Sequence, residues 1–321
     1  MKIAHFELSS PTALAPMAGL SDNPMRRLCR PFGAGWVVGE MISGDPTLRH
    51  TRKTRNRIDF SGETPPIVVQ IVGVEPEQMA QTALYYQGLG VDCIDINMGC
   101  PAKKVCKREA GSALMKNEAL VAEILSTVVQ SVAIPVTLKT RLGWDDLHLN
   151  VVKIAEIAEK SGICAIAIHG RYRTQMFQGA AQYGLIREVK KAISLPVWAN
   201  GDIDSPQKAA QVLEETGADG VMIGRAAVGS PWLFAEINQY LSGSQKEVDF
   251  LTKTSAILQH LRLLYDFYGE NHGVKIARKH IAKYIADLPK GDKIRQRINQ
   301  ITASSEQYEC VAEFLDIFQA A

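Results

Sequence analysis

The sequence predicts an α/β protein: a (β/α)8 TIM barrel followed by a small all-helical C-terminal domain. Three observations carry this. Short β-rich runs alternate with helical patterns from near the N-terminus to about residue 240, and repeated strand–helix order argues for a parallel sheet with helices outside. Eight such units fit a closed barrel, which typically takes ~250 residues. Beyond residue 246 the pattern turns to helices only. No GxGxxG follows the first strand, which argues against an open dinucleotide-binding sheet.

The strands are expected at 12–18, 36–41, 67–72, 93–98, 135–140, 165–169, 196–199 and 220–223. Helices are expected between them, among others at 76–88, 120–131, 150–160, 183–192 and 206–216, with Gly88, Gly162 and Gly217 closing three of them. The fourth strand is the most informative. Ile94 and Ile96 alternate with Asp95 and Asn97, and Gly99 and Pro101 then break the run, so Cys100 is held at a strand tip. Ser242 to Lys246 reads as a linker, giving an expected boundary between domains 1–242 and 243–321. In the second domain, Leu258/Leu261/Leu264/Tyr265, Ile276/His280/Ile281/Tyr284 and Val311/Phe314/Leu315/Phe318 mark three amphipathic helices.

Composition excludes more than it identifies. With 36 Lys and Arg against 34 Asp and Glu, the net charge of +2 neither demands nor excludes a polyanionic partner. The six cysteines form no CxxC pair near a histidine, so no metal site is expected. No secretory h-region and no run of roughly 20 apolar residues is seen, so a reducing, cytoplasmic setting without a membrane partner is expected.

In a barrel the reacting residues come from the C-terminal ends of the strands. Here those tips carry Pro16, Met17, Ala18, Glu40, Gln70, Asn97, Cys100, Lys139, Arg141, His169, Arg171, the Asn200-Gly201-Asp202 turn, and Gly224-Arg225. The last two tips suggest a phosphate site, with backbone donors on glycines and one fixed cation. Lys139 is open to three readings: a Schiff base, neutralisation of an anionic ligand, or a solvent-reaching side chain. Its neighbours favour neutralisation. His169 reads equally as a donor to a ligand or as a structural histidine.

Ala15 to Gly19, Asp95 to Val105, His169-Gly170-Arg171, Asn200 to Ile203 and Gly224 to Ala227 resemble the tRNA-dihydrouridine synthases. The likeness spans the chain, including Ile276 to His280, and is strongest to their bacterial B subgroup. The resemblance implies an FMN-bound barrel, driven by NADPH or NADH, that reduces a uridine in the D-loop of tRNA, with uridine 17 as target. It implies that Pro16, Met17, Ala18, Gln70, Lys139, His169, Asn200, Gly201, Asp202, Gly224 and Arg225 bind FMN. Flavin N5 would pass hydride to uracil C6. Cys100 would protonate C5, which asks for a thiol that stays protonated, as one with a pKa of about 8.5 does at neutral pH. Asn97 would address the uracil.

A base in the tRNA elbow must leave its stack to be reached, at a cost of a few kcal/mol. Contacts to phosphate must offset that. The expected contacts are Lys104, Arg171, Arg173, Arg278 and Lys279, drawn from basic clusters at 49–57, 103–108 and 275–297 and from an arginine- and aromatic-containing loop at 171–177. A monomer is expected. Three rival readings exist: an FMN barrel reductase of a small pyrimidine or enone, a lysine aldolase built on Lys139, and a non-catalytic tRNA-binding protein.

Overall fold

The computed structural model describes residues 1–244 and 246–319. Gln245 of the expected linker, and Ala320 and Ala321, lie outside the described residues. The chain opens with an antiparallel pair, β1 (Lys2–Ile3) and β2 (Phe6–Glu7). It continues through β3 (Thr12–Leu14), α1 (Asn23–Cys29), β4 (Trp36–Val37), β5 (Ile42–Ser43), α2 (Arg52–Arg57), β6 (Val68–Val72), α3 (Pro76–Gly88), β7 (Cys93–Met98), α4 (Lys103–Cys106) and α5 (Glu118–Ser131). Then come β8 (Val136–Arg141), α6 (Val151–Lys160), β9 (Ala165–His169), α7 (Gly184–Ala192), β10 (Val197–Asn200), α8 (Pro206–Thr216), β11 (Gly220–Ile223) and α9 (Leu233–Leu241). The chain ends in helices only: α10 (Phe250–Tyr268), α11 (Glu270–Tyr284), α12 (Gly291–Ile298) and α13 (Ser304–Gln319).

Nine strands form one parallel sheet in the order β4-β3-β11-β10-β9-β8-β7-β6-β5. Side chains alternate across it, so each strand feeds two cores. Ile94, Ile96, Leu138, Ile166 and Ile168 pack outward with Ile124, Ile154 and Val189 of the surrounding helices. Ala13, Trp36, Val68, Cys93, Ala167, Trp198 and Met222 meet on the opposite face. Strands far apart in the ladder thus share one face, which means that the sheet is curled. Its floor is the pair Trp36 and Trp198, with ring centroids 5.8 Å apart. Ile3 of the opening hairpin belongs to the same cluster.

The expected closed ring of eight strands is not what the ladder shows. The predicted second strand, 36–41, is split. Trp36 and Val37 pair with β3, Ile42 and Ser43 pair with β6, and these two pieces are the edges of the sheet. Among the described residues only the Val38–Val68 bridge, with Gly39 N–H donating to Val68 O at 3.0 Å, spans the gap. The cause lies in the residues that follow. Arg57 Nη1 donates to Met41 O at 2.5 Å, and the Glu40 carboxylate accepts from Gly19 N–H at 2.5 Å, so this stretch is drawn off the ladder. The first strand is also shorter than 12–18, because Pro16 has no N–H and Met17 N–H donates instead to Ser21 Oγ at 2.7 Å. Gly162 and Gly217 take the left-handed conformation after their helices, but after α3 that residue is Gly90, and Gly88 is the last helical residue. The apolar periodicity does not single out helices α1, α2, α4, α9 and α12.

The last four helices surround their own core of Leu261, Leu264, Ala277, Ile281, Val311 and Leu315, into which Leu28 of α1 and Trp232 also reach. Asp22 joins the two layers: its side chain caps α1 at Met25 N–H (3.1 Å) and accepts from Tyr268 Oη of α10 at 2.8 Å. Next to it, buried Arg26 pairs with buried Glu63 and donates to Ser21 O at 2.7 Å. Glu63→Ala leaves that guanidinium buried without its charge partner, so a loss of about 3–5 kcal/mol in unfolding free energy is expected from urea titration. An unshifted midpoint would contradict this account of how α1 is held.

Candidate active site

The polar ends of the strands surround a cavity of about 800 Å3 on the concave face. Register decides who stands beside whom: Gln70 faces Asp95, Asn97 faces Lys139, Arg141 faces His169, and His169 faces Asn200. All seven of these side chains are nearly closed off from solvent.

Asp95 anchors one wall. It accepts from Gln70 Nε2 (2.7 Å) and Thr137 Oγ1 (2.6 Å), and burial raises its pKa even against those bonds. Gln70, so oriented, accepts from Asn97 Nδ2 at 2.8 Å. Asn97 in turn accepts the backbone N–H groups of Gly99 (3.2 Å) and Cys100 (2.9 Å). The turn that carries the thiol is therefore set by a strand side chain rather than left to the loop. Ser112 Oγ donates to Cys100 O at 2.9 Å, and a Cβ at Gly111 would lie 2.9 Å from that same oxygen. Cys100 is half-buried and lines the cavity. Burial pushes its thiol pKa up, more than the Ala102 N–H and Arg141 pull it down.

Lys139 lines the same cavity. Its Nζ donates to Asn200 Oδ1 at 3.0 Å, and among the described residues no carboxylate lies within ion-pair distance. Burial, with Arg141 nearby, lowers its pKa to about 8. Asn200 is fixed by donating to Met222 O at 2.7 Å. His169 is kept neutral by burial and by the cations around it. Arg171 Nη1 sits 3.2 Å from its Nε2; as arginine only donates, Nε2 accepts and Nδ1 carries the proton.

Pro16, Met17, Ala18, Gly201, Asp202, Gly224 and Arg225 also line the cavity. Asp202 takes a left-handed backbone and accepts from Arg171 (2.5 Å), Ala181 N–H (2.8 Å) and Arg225 (3.2 Å). Its pKa falls: burial would raise it, but the Arg171 hydrogen bond and the other donors win.

Of the residues expected at an RNA surface, two point inward. Arg171 is 2 % exposed, and its guanidinium clamps Gln178 O, Gly179 O and Asp202. Arg278 donates to Ile301 O at 2.9 Å and ties α11 to the connection between α12 and α13. Arg173 stacks over Trp144 at 4.7 Å, Lys104 is exposed on α4, and Lys279 Nζ donates to Gly19 O. Sequence reasoning missed three roles. Arg141 donates to Gly99 O (2.7 Å) and Met176 O (2.8 Å), tying the Cys100 turn to the loop after β9. Phe177 is stacked by Arg141 (5.3 Å) and Arg225 (5.0 Å). Lys283 reaches the cavity from α11. The strand tip signalled Arg141; Phe177 and Lys283 lie within the loop 171–177 and the basic cluster 275–297 singled out above, but nothing local signalled that they meet the cavity.

Among the described residues no cluster of three or more His, Cys, Asp or Glu could hold a metal ion, and no helix is long and apolar enough to cross a membrane.

The family described as Dihydrouridine synthase (Dus) matches residues 13–321. A Xanthomonas axonopodis pv. citri protein named tRNA-dihydrouridine synthase B is 49% identical over 320 residues, 98% of this chain and 96% of its own. A Pseudomonas aeruginosa protein of that name is 49% identical over 316 residues, 98% and 95% of the two chains. Among solved structures, a 2-naphthoyl-CoA reductase complex aligns with a TM-score of 0.57 at 12% identity, over 76% of this chain and 52% of the other. Histamine dehydrogenase from Rhizobium sp. 4-9 aligns with a TM-score of 0.55 at 13% identity, over 82% and 50%. At such identities these two share the fold alone.

Alkylation of Cys100 by iodoacetamide, followed by peptide mass spectrometry against pH, should rise through a midpoint above the ordinary thiol value of about 8.5. A midpoint near neutrality would contradict a thiol held protonated by burial.

Proposed function

The chain belongs to the dihydrouridine synthase family, and within it to the B group, and from that premise we propose that it is an FMN-dependent tRNA-dihydrouridine synthase. The observation that carries the reading is a half-buried thiol with a raised pKa on the wall of a cavity that also holds a buried ammonium without a carboxylate partner. The first is a proton donor, not a nucleophile. The second is a cation that awaits an anionic ligand.

FMN fits these residues. The cavity offers apolar wall at Pro16, Met17 and Ala18, and polar partners at Gln70 and Lys139. It offers backbone at Gly201 and Gly224, with Arg225 and the Nδ1–H of His169 as donors. Asn200 and Asp202 act by holding Lys139 and Arg225. Bound FMN, reduced by NADPH or NADH, supplies a hydride for uracil C6. The chain's own part is the proton: Cys100 Sγ holds it for C5. Asn97 has one amide N–H beyond its bond to Gln70 for the uracil edge. Arg141 keeps the Cys100 turn and the Phe177 loop together over the reacting base.

In the same reading, β4 and β5 are halves of one interrupted second strand of a (β/α)8 layout. Residues 1–242 form the catalytic domain and 243–321 a helical tRNA-binding domain. The D-loop of tRNA, with uridine 17 as target, docks against Arg173, Lys104 and Lys279. The protein acts as a monomer.

Cys100→Ala should lower dihydrouridine formation in unmodified tRNA by about 10²–10⁴-fold, the range for loss of a general acid, as read by nucleoside mass spectrometry. Undiminished product would contradict the role. The lowered pKa of Lys139 gives a second test. Below pH 8 the free site carries the ammonium, and an anion raises its pKa. FMN affinity of the apoprotein should then hold below about pH 8 and weaken above it, by up to about tenfold per unit. Lys139→Met should abolish that slope; a slope unchanged in the variant would contradict the assignment.

A further inference from the structure

A second cavity, of about 370 Å3, lies beside the first, and Met41 lines both. Its inner surface is apolar: Leu48, Val72, Met79 and Val105. Gly44 and Gly73 let Met79 lie against the wall, since a Cβ at either would come within 3.0 and 2.8 Å of Met79 Cγ. Its rim carries Lys53, Arg57, Lys104 and Arg108 against Asp45 and Glu75. Arg57 is committed to Glu40 and to Met41 O, and Asp45 to Thr47 N–H and Oγ1. Lys53, Lys104 and Arg108 have no carboxylate within ion-pair distance among the described residues. The cavity thus combines a small-ligand volume, apolar walls and three cations without a direct ion pair among the described residues, Arg108 lying near enough to Asp45 to help lower its pKa.

Its place in the fold narrows the ligand. Lys104 and Val105 stand four and five residues after Cys100, so the short segment from Cys100 to Val105 lines both cavities. Turning a base into the first cavity unstacks its neighbour, which then needs a new apolar surface and a charge for its phosphate. We propose that the second cavity receives the nucleotide adjacent to the reduced uridine, its base against Leu48, Val72 and Met79 and its phosphate among Lys53, Lys104 and Arg108. This rests on the synthase reading above.

The test uses FMN-loaded protein reduced by NADPH and reoxidised by unmodified tRNA, followed anaerobically. Gln78 is an exposed residue on the cavity wall, and Gln78→Trp fills the space without touching the first cavity. The tRNA concentration for half-maximal reoxidation should rise by about tenfold, with reduction by NADPH unchanged. The double variant Lys53→Gln/Arg108→Gln, which keeps the cavity open, should show the same rise together with a shallower dependence of tRNA affinity on salt. Unchanged tRNA dependence in both variants overturns the proposal. A rise in the NADPH requirement instead also overturns it, and assigns the cavity to the nucleotide of the reductant. If tRNA fails to reoxidise the unsubstituted protein, the synthase reading itself falls and takes this subsite with it.

Discussion

The site depends on a single constraint: side chains on the strands of a curled parallel sheet alternate, so one face must be filled step by step along the strands. At one level that face is closed by Trp36 and Trp198. Two residues further along, β7, β8 and β9 present Asn97, Lys139 and His169 where Asp95, Thr137 and Ala167 stood a step before. The apolar level gives the strands a fixed floor. The polar level above it becomes the cavity wall, and no loop needs to be ordered to place it.

Electrostatics then shapes what that wall does. Lys139, Arg141 and Arg225 line the cavity and Arg171 lies against His169, and each of the four affects the ionisation of His169. Asp202 answers Arg171 and Arg225, and Asp95 is spent on Gln70 and Thr137. Lys139 keeps its charge without a direct carboxylate partner, at a cost that an anionic ligand would offset. On the same wall Cys100 is made a weaker acid by burial, so one cavity holds both a cation and a reluctant proton.

The strand tips were legible in the sequence because period-two alternation and glycine or proline breaks are local signals, and Cys100 stands where both coincide. The interrupted second strand was not legible, because its cause is Arg57, sixteen residues away in sequence, taking the carbonyl of Met41. Nor could the sequence say which way a guanidinium turns. Arg171 and Arg278 read as surface cations, yet one clamps the Asp202 turn and the other a carbonyl at Ile301. Lys283 and the second cavity depend on where separate elements meet, which no local pattern encodes.

The most direct measurement is an anaerobic absorption titration of the unsubstituted protein. The account predicts a flavin spectrum that NADPH bleaches and that stoichiometric unmodified tRNA restores, while tRNA already carrying dihydrouridine at the target position does not. Bleaching that free uridine reverses as well as tRNA does would contradict the account, as would a protein that cannot be loaded with FMN.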